Sequence, residues 1–333
     1  MDTLSRIINT VKMCSTIHLP DGSQNVFLFS MPRSGSTWLM EMIYTQPGFN
    51  WCREPFNIRE PAVRDRLGID DWTELYMLRS EDKIKRYIDG ICTGKLRDYR
   101  FKYPRPFSKQ HRFITRHTVF KILHFGEDRI NWFRDTFNGR VVYLIRHPIP
   151  VTLSRQVFPR LQARLNSDFR RHFTPNQLAY AKQIAENGSK FEQGIVDWCL
   201  QNMVPMKDKT DDWTLVSYEQ LVLDVDPVIH LLCDRLDLPY PELMRKQWVV
   251  PSGSVNQSDN TTENILAQER TSQSTHWLVE KWRAKVTPEQ EMRTSEILAV
   301  FGLDTCYCYG SALPAKQLWI GEEISSSIEK QKT

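Results

Sequence analysis

VFLFSMPRSGSTWL, residues 26–39, stops an apolar run at a Pro-Arg-Ser-Gly-Ser-Thr turn and resumes with helical spacing. It reads as a strand, a phosphate-cradling loop and the start of a helix. Gly35 lets the backbone approach a ligand closely. Ser34, Ser36 and Thr37 offer hydroxyls, and a helix N-terminus presents free amides and a positive dipole end to an anion. The loop of nucleoside triphosphatases, G-x-x-x-x-G-K-[ST], is absent: no glycine precedes Gly35 at that spacing, and Ser36 stands in the lysine position.

A second apolar run, Val141 to Ile145 within GRVVYLIRHPIPVTLSRQ (139–156), ends in Arg146, His147 and Pro148, with Ser154 eight residues after Arg146. Arg146 at a strand's carboxyl end offers a bidentate, charge-assisted grip on a phosphate, and Ser154 on the following helical segment adds a hydroxyl. An ATPase wants an aspartate for magnesium after this strand; here there is an arginine.

These two motifs are similar to the cofactor site of sulfotransferases that use 3′-phosphoadenosine 5′-phosphosulfate (PAPS). P-R-S-G-S-T-W-L resembles their 5′-phosphosulfate loop, and the Arg146 segment resembles their 3′-phosphate site. The resemblance implies PAPS as co-substrate, no metal, and a donor held by Arg33, Ser34, Gly35, Ser36, Thr37, Arg146 and Ser154. Trp38 resembles a tryptophan that stacks on the adenine, although a Trp on a helix's second turn serves equally as core. Arg33 stands where many members have lysine. Its cation then stabilises charge on the departing oxygen; the alternative is a surface arginine at the loop. Further on, TLVSYEQLVLD (214–224) resembles a Tyr-Glu-x-Leu segment that puts Tyr218 near the cofactor, a residue that is otherwise core. ERTSQSTHWLVEKWRAKVTPEQ resembles the lid that closes over the nucleotide, with Arg270, Ser272 and Lys281 as candidates.

The base is expected in FNWCREPF (49–56). A short strand returning there by a right-handed crossover ends beside the first strand's loop, placing Glu54 near the transferable group. The same neighbourhood resembles two branches of the family, Glu-Pro of the carbohydrate enzymes and Cys-x-Glu of the tyrosylprotein enzymes, and both patterns occur in Cys52-Arg53-Glu54-Pro55. Glu54 is therefore assigned as general base, against the alternative that it only pairs Arg53 or Arg59. His124 is the second candidate base. It follows Lys121 by three residues where the cytosolic branch has two, and a satisfied structural histidine is the competing reading.

Strands at Val26–Ser30, Thr118–Leu123, Val141–Ile145 and Trp213–Ser217, separated by helix-like segments, imply an α/β fold with a largely parallel central sheet flanked by helices. The site lies at the strands' carboxyl ends, in a P-loop NTPase-like arrangement given the resemblance. One domain is expected over 1–333: a core of about 24–310, an acceptor-side insertion of about 56–117 and a polar, loosely held tail of about 311–333. Asp65–Asp98 reads as amphipathic helices, the basic stretch Arg97–His117 as loop-rich and Ser252–Thr275 as an irregular lid.

Composition fits without deciding. The chain has 333 residues, 41% hydrophobic and 25% charged, enough for a substantial core. No long apolar segment exists, so no transmembrane segment is expected, and the first residues lack a signal-peptide pattern; the expected location is cytoplasmic. Seven cysteines form no C-x-x-C pair and read as buried thiols. The sequons at Asn187, Asn256 and Asn260 then have no role. Two basic stretches, Arg97–Arg116 and Arg155–Arg171, read either as a steering field for anions or as solvated faces. A net charge of +4 is too small for a nucleic-acid partner. The acceptor is a hydroxyl, a sugar's first, a tyrosine's second, a lipid or small metabolite third. The rivals are an ATP-dependent kinase and a nucleotide-binding protein without turnover.

Overall fold

The computed structural model describes residues 16–22, 24–96, 112–250, 252 and 272–318. Its strands are β1 (Ile17–His18), β2 (Val26–Ser30), β3 (Phe49–Arg53), β4 (Ile114–Thr115), β5 (His117–Ile122), β6 (Arg140–Ile145) and β7 (Thr214–Ser217). Five of them form one all-parallel sheet, ordered β3-β5-β2-β6-β7. Parallel strands covered by helices on both faces need continuous apolar runs. VFLFS of β2 and TLVS of β7 are buried throughout, as is all of β6 after Arg140.

The helices that frame the site are α1 (Ser36–Tyr44), α2 (Pro148–Leu153), α3 (Pro159–Asn166), α4 (Lys190–Lys207), α5 (Tyr218–Leu223), α6 (Pro241–Trp248), α7 (Ser272–Glu280) and α8 (Pro288–Val300). All nine residues of α1 are buried, so this helix runs inside the molecule. It stops where Pro47 and Gly48 (φ 77°) turn the chain into β3.

Several expectations are corrected. β3 does not lie beside β2: β5 separates them, pairing Val26 with Val119 on one side and Phe49 with His117 on the other. The burial pattern gives the reason. β5 is buried after its first residue and suits the interior, whereas β3 leaves Asn50 and Arg53 partly exposed and suits the edge. In the described part of the basic stretch before β5, Arg116 is exposed but Arg112 is not a surface charge. Arg112 donates to the carbonyls of Tyr44 (2.8 Å), Thr45 (2.9 Å), Gln46 and Phe49 (3.3 Å), capping the C-terminus of α1. Nor is that part loop throughout, because β4 pairs with β1 in parallel. Residues 97–111 lie outside the described residues. Of the expected lid 252–275, residues 253–271 lie outside the described residues, and the chain is helical from Ser272. The tail is not loosely held over 311–318: Ala312 and Leu318 are buried, and Ala315 N–H donates to Cys306 C=O at 2.8 Å. The six described cysteines form no disulfide, but they are not all buried thiols: Cys308 is exposed and Cys92 half-buried.

Candidate active site

The loop between β2 and α1 holds two residues in the left-handed region, Arg33 (φ 76°) and Gly35 (φ 91°). Successive turns of this kind aim backbone N–H groups into one concavity that suits an anion. Gly35 is the N-cap of α1, no side chain caps the first turn, and no acidic residue lies there to repel an anion. Ser34 Oγ is buried without a hydrogen-bond partner among the described residues. Ser36 and Thr37 are buried on the first turn, and Arg33 is exposed above it.

Gly35 is also required for packing. A Cβ there would stand 2.6 Å from Tyr218 Cδ2, well inside contact. The Tyr218 ring cannot easily withdraw, because the Arg146 guanidinium lies 3.9 Å above its centroid. Arg146 in turn donates from Nη1 to the Arg33 carbonyl at 3.1 Å, and its own carbonyl accepts from Trp198 Nε1 at 2.9 Å. The carboxyl ends of β2, β6 and β7 are thereby locked into one surface. Arg146 Nε is buried and has no partner among the described residues. A Gly35→Ala variant is expected to lose about 1–3 kcal/mol of stability from the φ strain and the clash. It should also bind 3′,5′-bisphosphoadenosine at least about tenfold more weakly; thermal melts and calorimetry check both.

Across the loop from Arg146 a second cluster forms. Glu54, at φ 57°, follows β3 and turns its carboxylate toward β5. Its Oε1 accepts from Lys121 Nζ at 2.8 Å. Its Oε2 lies 3.4 Å from His124 Nε2 and accepts from Asn57 Nδ2 at 3.2 Å. Lys121 Nζ also donates to Thr37 Oγ1 at 3.0 Å. Burial by itself would raise the Glu54 pKa, but the His124 hydrogen bond and the Lys121 charge outweigh it and hold this carboxyl well below the usual carboxylate range. Burial lowers Lys121 to about 8 against the opposing pull of Glu54. Burial likewise lowers His124 to about 4, with the Arg160 and Lys121 charges adding to it. At neutral pH the cluster is an ionised carboxylate between a lysinium and a neutral imidazole, whose Nε2 then carries the proton.

A family model described as the sulfotransferase family matches residues 25–242 of the chain. The chain belongs to the sulfotransferase family. Among solved structures, the sulfotransferase domain from the curacin biosynthetic pathway is 18% identical, covering 86% of this chain and 99% of its own, at TM-score 0.45. The sulfotransferase domain of the Synechococcus PCC 7002 olefin synthase is 18% identical, covering 85% and 97%, at TM-score 0.42. A mouse sulfotransferase complexed with PAP is 15% identical, covering 87% and 88%, at TM-score 0.43. No curated protein matches the chain in sequence.

The protein is thus a transferase, and PAPS is the donor expected from its loop motifs. The loop fits such a donor: the glycine cradle, the uncapped amides of α1, the unpartnered Ser34 hydroxyl and the unpartnered Arg146 Nε all suit an anionic group. Among the described residues no group of three His, Cys, Asp or Glu is placed to hold a metal, and no helix is long and apolar enough to cross a membrane.

The other residues singled out in the sequence fall as follows. Ser154 ends α2 and donates to Pro150 C=O at 2.6 Å. Trp38 is 6% exposed, donates from Nε1 to Trp248 C=O and stacks on the Trp248 ring at 6.1 Å, a placement that favours core over adenine stacking. Lys281 lies 5.2 Å from the Trp277 ring centroid just after α7, which packs on α5. Arg270 lies outside the described residues, as does the side chain of Ser272. The second basic stretch is internal in part: Arg170 and Arg171 are exposed, the other three arginines are not. Arg160 and Arg164 are buried, and Arg155 and Arg164 pair with Asp197. Lys121 escaped the sequence reading as a site residue; its signal was a lysine inside the apolar run TVFKIL, where only a paired ammonium survives burial.

Proposed function

We propose that this sulfotransferase moves the sulfuryl group of PAPS to a sugar hydroxyl, with Glu54 as the proton acceptor, and that it does so as one domain in the cytoplasm. The observation that carries this reading is the unbroken chain from Thr37 Oγ1 through Lys121 Nζ to Glu54 Oε1, at 3.0 and 2.8 Å. It ties a carboxylate at the sheet's edge to the first turn of the phosphate-loop helix.

Bound at the loop, PAPS supplies an electrophilic sulfur and an anionic leaving group. The α1 amides, Arg33, Ser34, Ser36 and Thr37 hold the phosphosulfate end, and Arg146 with Ser154 holds the 3′-phosphate. Tyr218, pressed between Gly35 and Arg146, keeps these two anion sites in fixed register. Glu54 orients the acceptor hydroxyl and takes its proton. A carboxylate of such low basicity suffices when the transition state is loose and the proton leaves late. Lys121 holds that carboxylate ionised and offers a cation toward Thr37, the side on which charge builds. The Cys52-Arg53-Glu54-Pro55 turn supports a sugar first and a tyrosine second. The half-buried Trp72, its ring 5.5 Å from that of His124, adds an aromatic wall for either.

Calorimetric titration with 3′,5′-bisphosphoadenosine, against ADP with and without magnesium, tests the donor site. Arg146→Ala is expected to weaken bisphosphate binding about 100-fold, from losing hydrogen bonds to a charged group. Preference for ADP with magnesium would overturn the assignment of these anion sites. Transfer from labelled PAPS to glycans, tyrosine peptides and lipid alcohols then tests the acceptor; turnover confined to peptides or lipids sinks the sugar.

A further inference from the structure

The charged groups behind the sheet's carboxyl edge do not balance. Asp197 is fully buried and uses one oxygen on Arg155 and the other on Arg164, each at 2.6 Å. Glu127 Oε1 accepts from Arg164 Nε and from Tyr76 OH, both at 2.8 Å. Arg160, 1% exposed, has no carboxylate within ion-pair distance among the described residues. Its Nη1 donates to Leu123 C=O at 2.6 Å, and its Nη2 is buried with no partner. It is moreover the second residue of α3, close to the positive end of that helix dipole. A buried guanidinium that no carboxylate bonds is costly in that position, even with Asp197 acting on it at longer range.

We infer that Arg160 is a positioning residue of the transfer reaction: its guanidinium fixes the Leu123–His124 turn and holds the imidazole against Glu54. The turn leaves β5 immediately after the strand that carries Lys121, and two bonds tether its backbone. One is Arg160 to Leu123 C=O; the other is Tyr76 OH to His124 C=O at 3.1 Å. His124 is faced by Glu54 from the end of β3, Lys121 from β5, Arg160 from α3 and the Trp72 ring from the helix Trp72–Leu75, with Glu127 behind Tyr76. The surplus positive charge opposes protonation of His124 and so keeps Nε2–H as a neutral donor to Glu54. An imidazolium in its place would grip the carboxylate as an ion pair and make it a still weaker proton acceptor. This inference rests on the proposed role of Glu54 only for its effect on turnover; the effect on His124 stands apart from it.

The test compares Arg160→Gln with Arg160→Lys. Arg160→Gln removes the charge. It is expected to lower kcat about 10–100-fold through misplacement of the turn, with bisphosphate affinity changed by less than about threefold. The His124 imidazole, followed by NMR, should titrate higher than its wild-type value of about 4, moving toward 6.5. The acid limb of kcat should move to higher pH with it. Arg160→Lys keeps a cation but not the planar bond to Leu123; its His124 midpoint should stay near wild type while kcat recovers only in part. If Arg160→Gln does not fold, the lysine variant alone decides: a kcat equal to wild type overturns the positioning role. Wild-type kcat and an unmoved His124 midpoint in Arg160→Gln overturn the whole inference. Should Glu54→Gln retain full turnover while the His124 midpoint still shifts in Arg160→Gln, the base assignment fails and the link between Arg160 and His124 survives.

Discussion

Glu54→Gln is expected to lower kcat by about 100- to 10,000-fold, the range that a positioned proton acceptor contributes. Bisphosphate affinity should change by less than about threefold, because none of the groups assigned to the phosphates is altered. The amide keeps the shape of the side chain and can still accept from Lys121, so the loss isolates charge and basicity from packing. A second consequence follows from the 2.8 Å contact. Burial already lowers Lys121 to about 8, and the Glu54 charge is the leading influence that holds it up. Without that charge the ammonium, 1% exposed as a side chain, deprotonates more readily. In the wild type the cation is present below about pH 8 and is lost as pH rises through that value, giving an alkaline limb. The limb should move to lower pH in Glu54→Gln. Single-turnover rates across pH 6–10 read both effects. A variant within about fivefold of wild type, with an unmoved limb, would reduce Glu54 to an orienting group and transfer the base role to His124.

What the sequence discloses and what it hides divide along the chain distance between partners. The phosphate loop and the Arg146 turn are legible because strand, turn and helix start lie within one window, and the left-handed position at Gly35 is written in the residue itself. Four of the expected strands match the observed bounds to within a residue at each end, since parallel buried strands must be apolar runs and each run ends at a polar boundary. The position of Glu54 just past a short strand is also legible, although the strand's expected neighbour differs from the observed one. The Glu54 carboxylate meets the phosphate-loop helix through Lys121 on an intervening strand, 67 residues away in sequence. No local pattern reports that β5 inserts between β2 and β3. The same distance hides the roles of the arginines. RLQARLN reads as a basic helical face, yet Arg164 is sealed inside by Glu127 and Asp197, 37 and 33 residues away. Arg112 reads as surface charge and is a helix cap, because the carbonyls of α1 lie 66 to 68 residues before it. Charge signs a residue's chemistry; only the fold tells whether water or a carboxylate answers it.

Asp197→Ala is expected to be the most destabilising single change in the sheet's supporting layer, by about 3–5 kcal/mol, the usual cost of removing one partner from a buried ion pair. Asp197 is fully buried on α4 and bonds Arg155 and Arg164 at 2.6 Å each. Its loss leaves Arg155 without its bonded carboxylate and Arg164 with Glu127 alone. The damage should reach the site along a traceable line. Arg164 Nη2 donates to Gln201 Oε1 at 3.0 Å, and Gln201 Nε2 donates to the carbonyl of Ser30, the last residue of β2 before the phosphate loop, at 3.2 Å. Weaker bisphosphate binding is therefore expected in whatever fraction remains folded. The pH dependence supplies an internal check. Burial by itself would raise the Asp197 pKa, but the Arg155 and Arg164 charges outweigh it and bring it to about 2 from 3.8. A depressed carboxyl stabilises the fold above its unfolded pKa, and that contribution is lost as pH falls through the folded value. Wild-type stability should accordingly drop by about 2 kcal/mol from this group between roughly pH 4 and pH 2. The Asp197→Ala protein, lacking the group, should be less stable throughout and flatter over that window. Urea melts at successive pH values measure both quantities. A loss under about 1 kcal/mol at pH 7, or an undiminished acid slope in the variant, would mean that Arg155 and Arg164 are held by something other than Asp197.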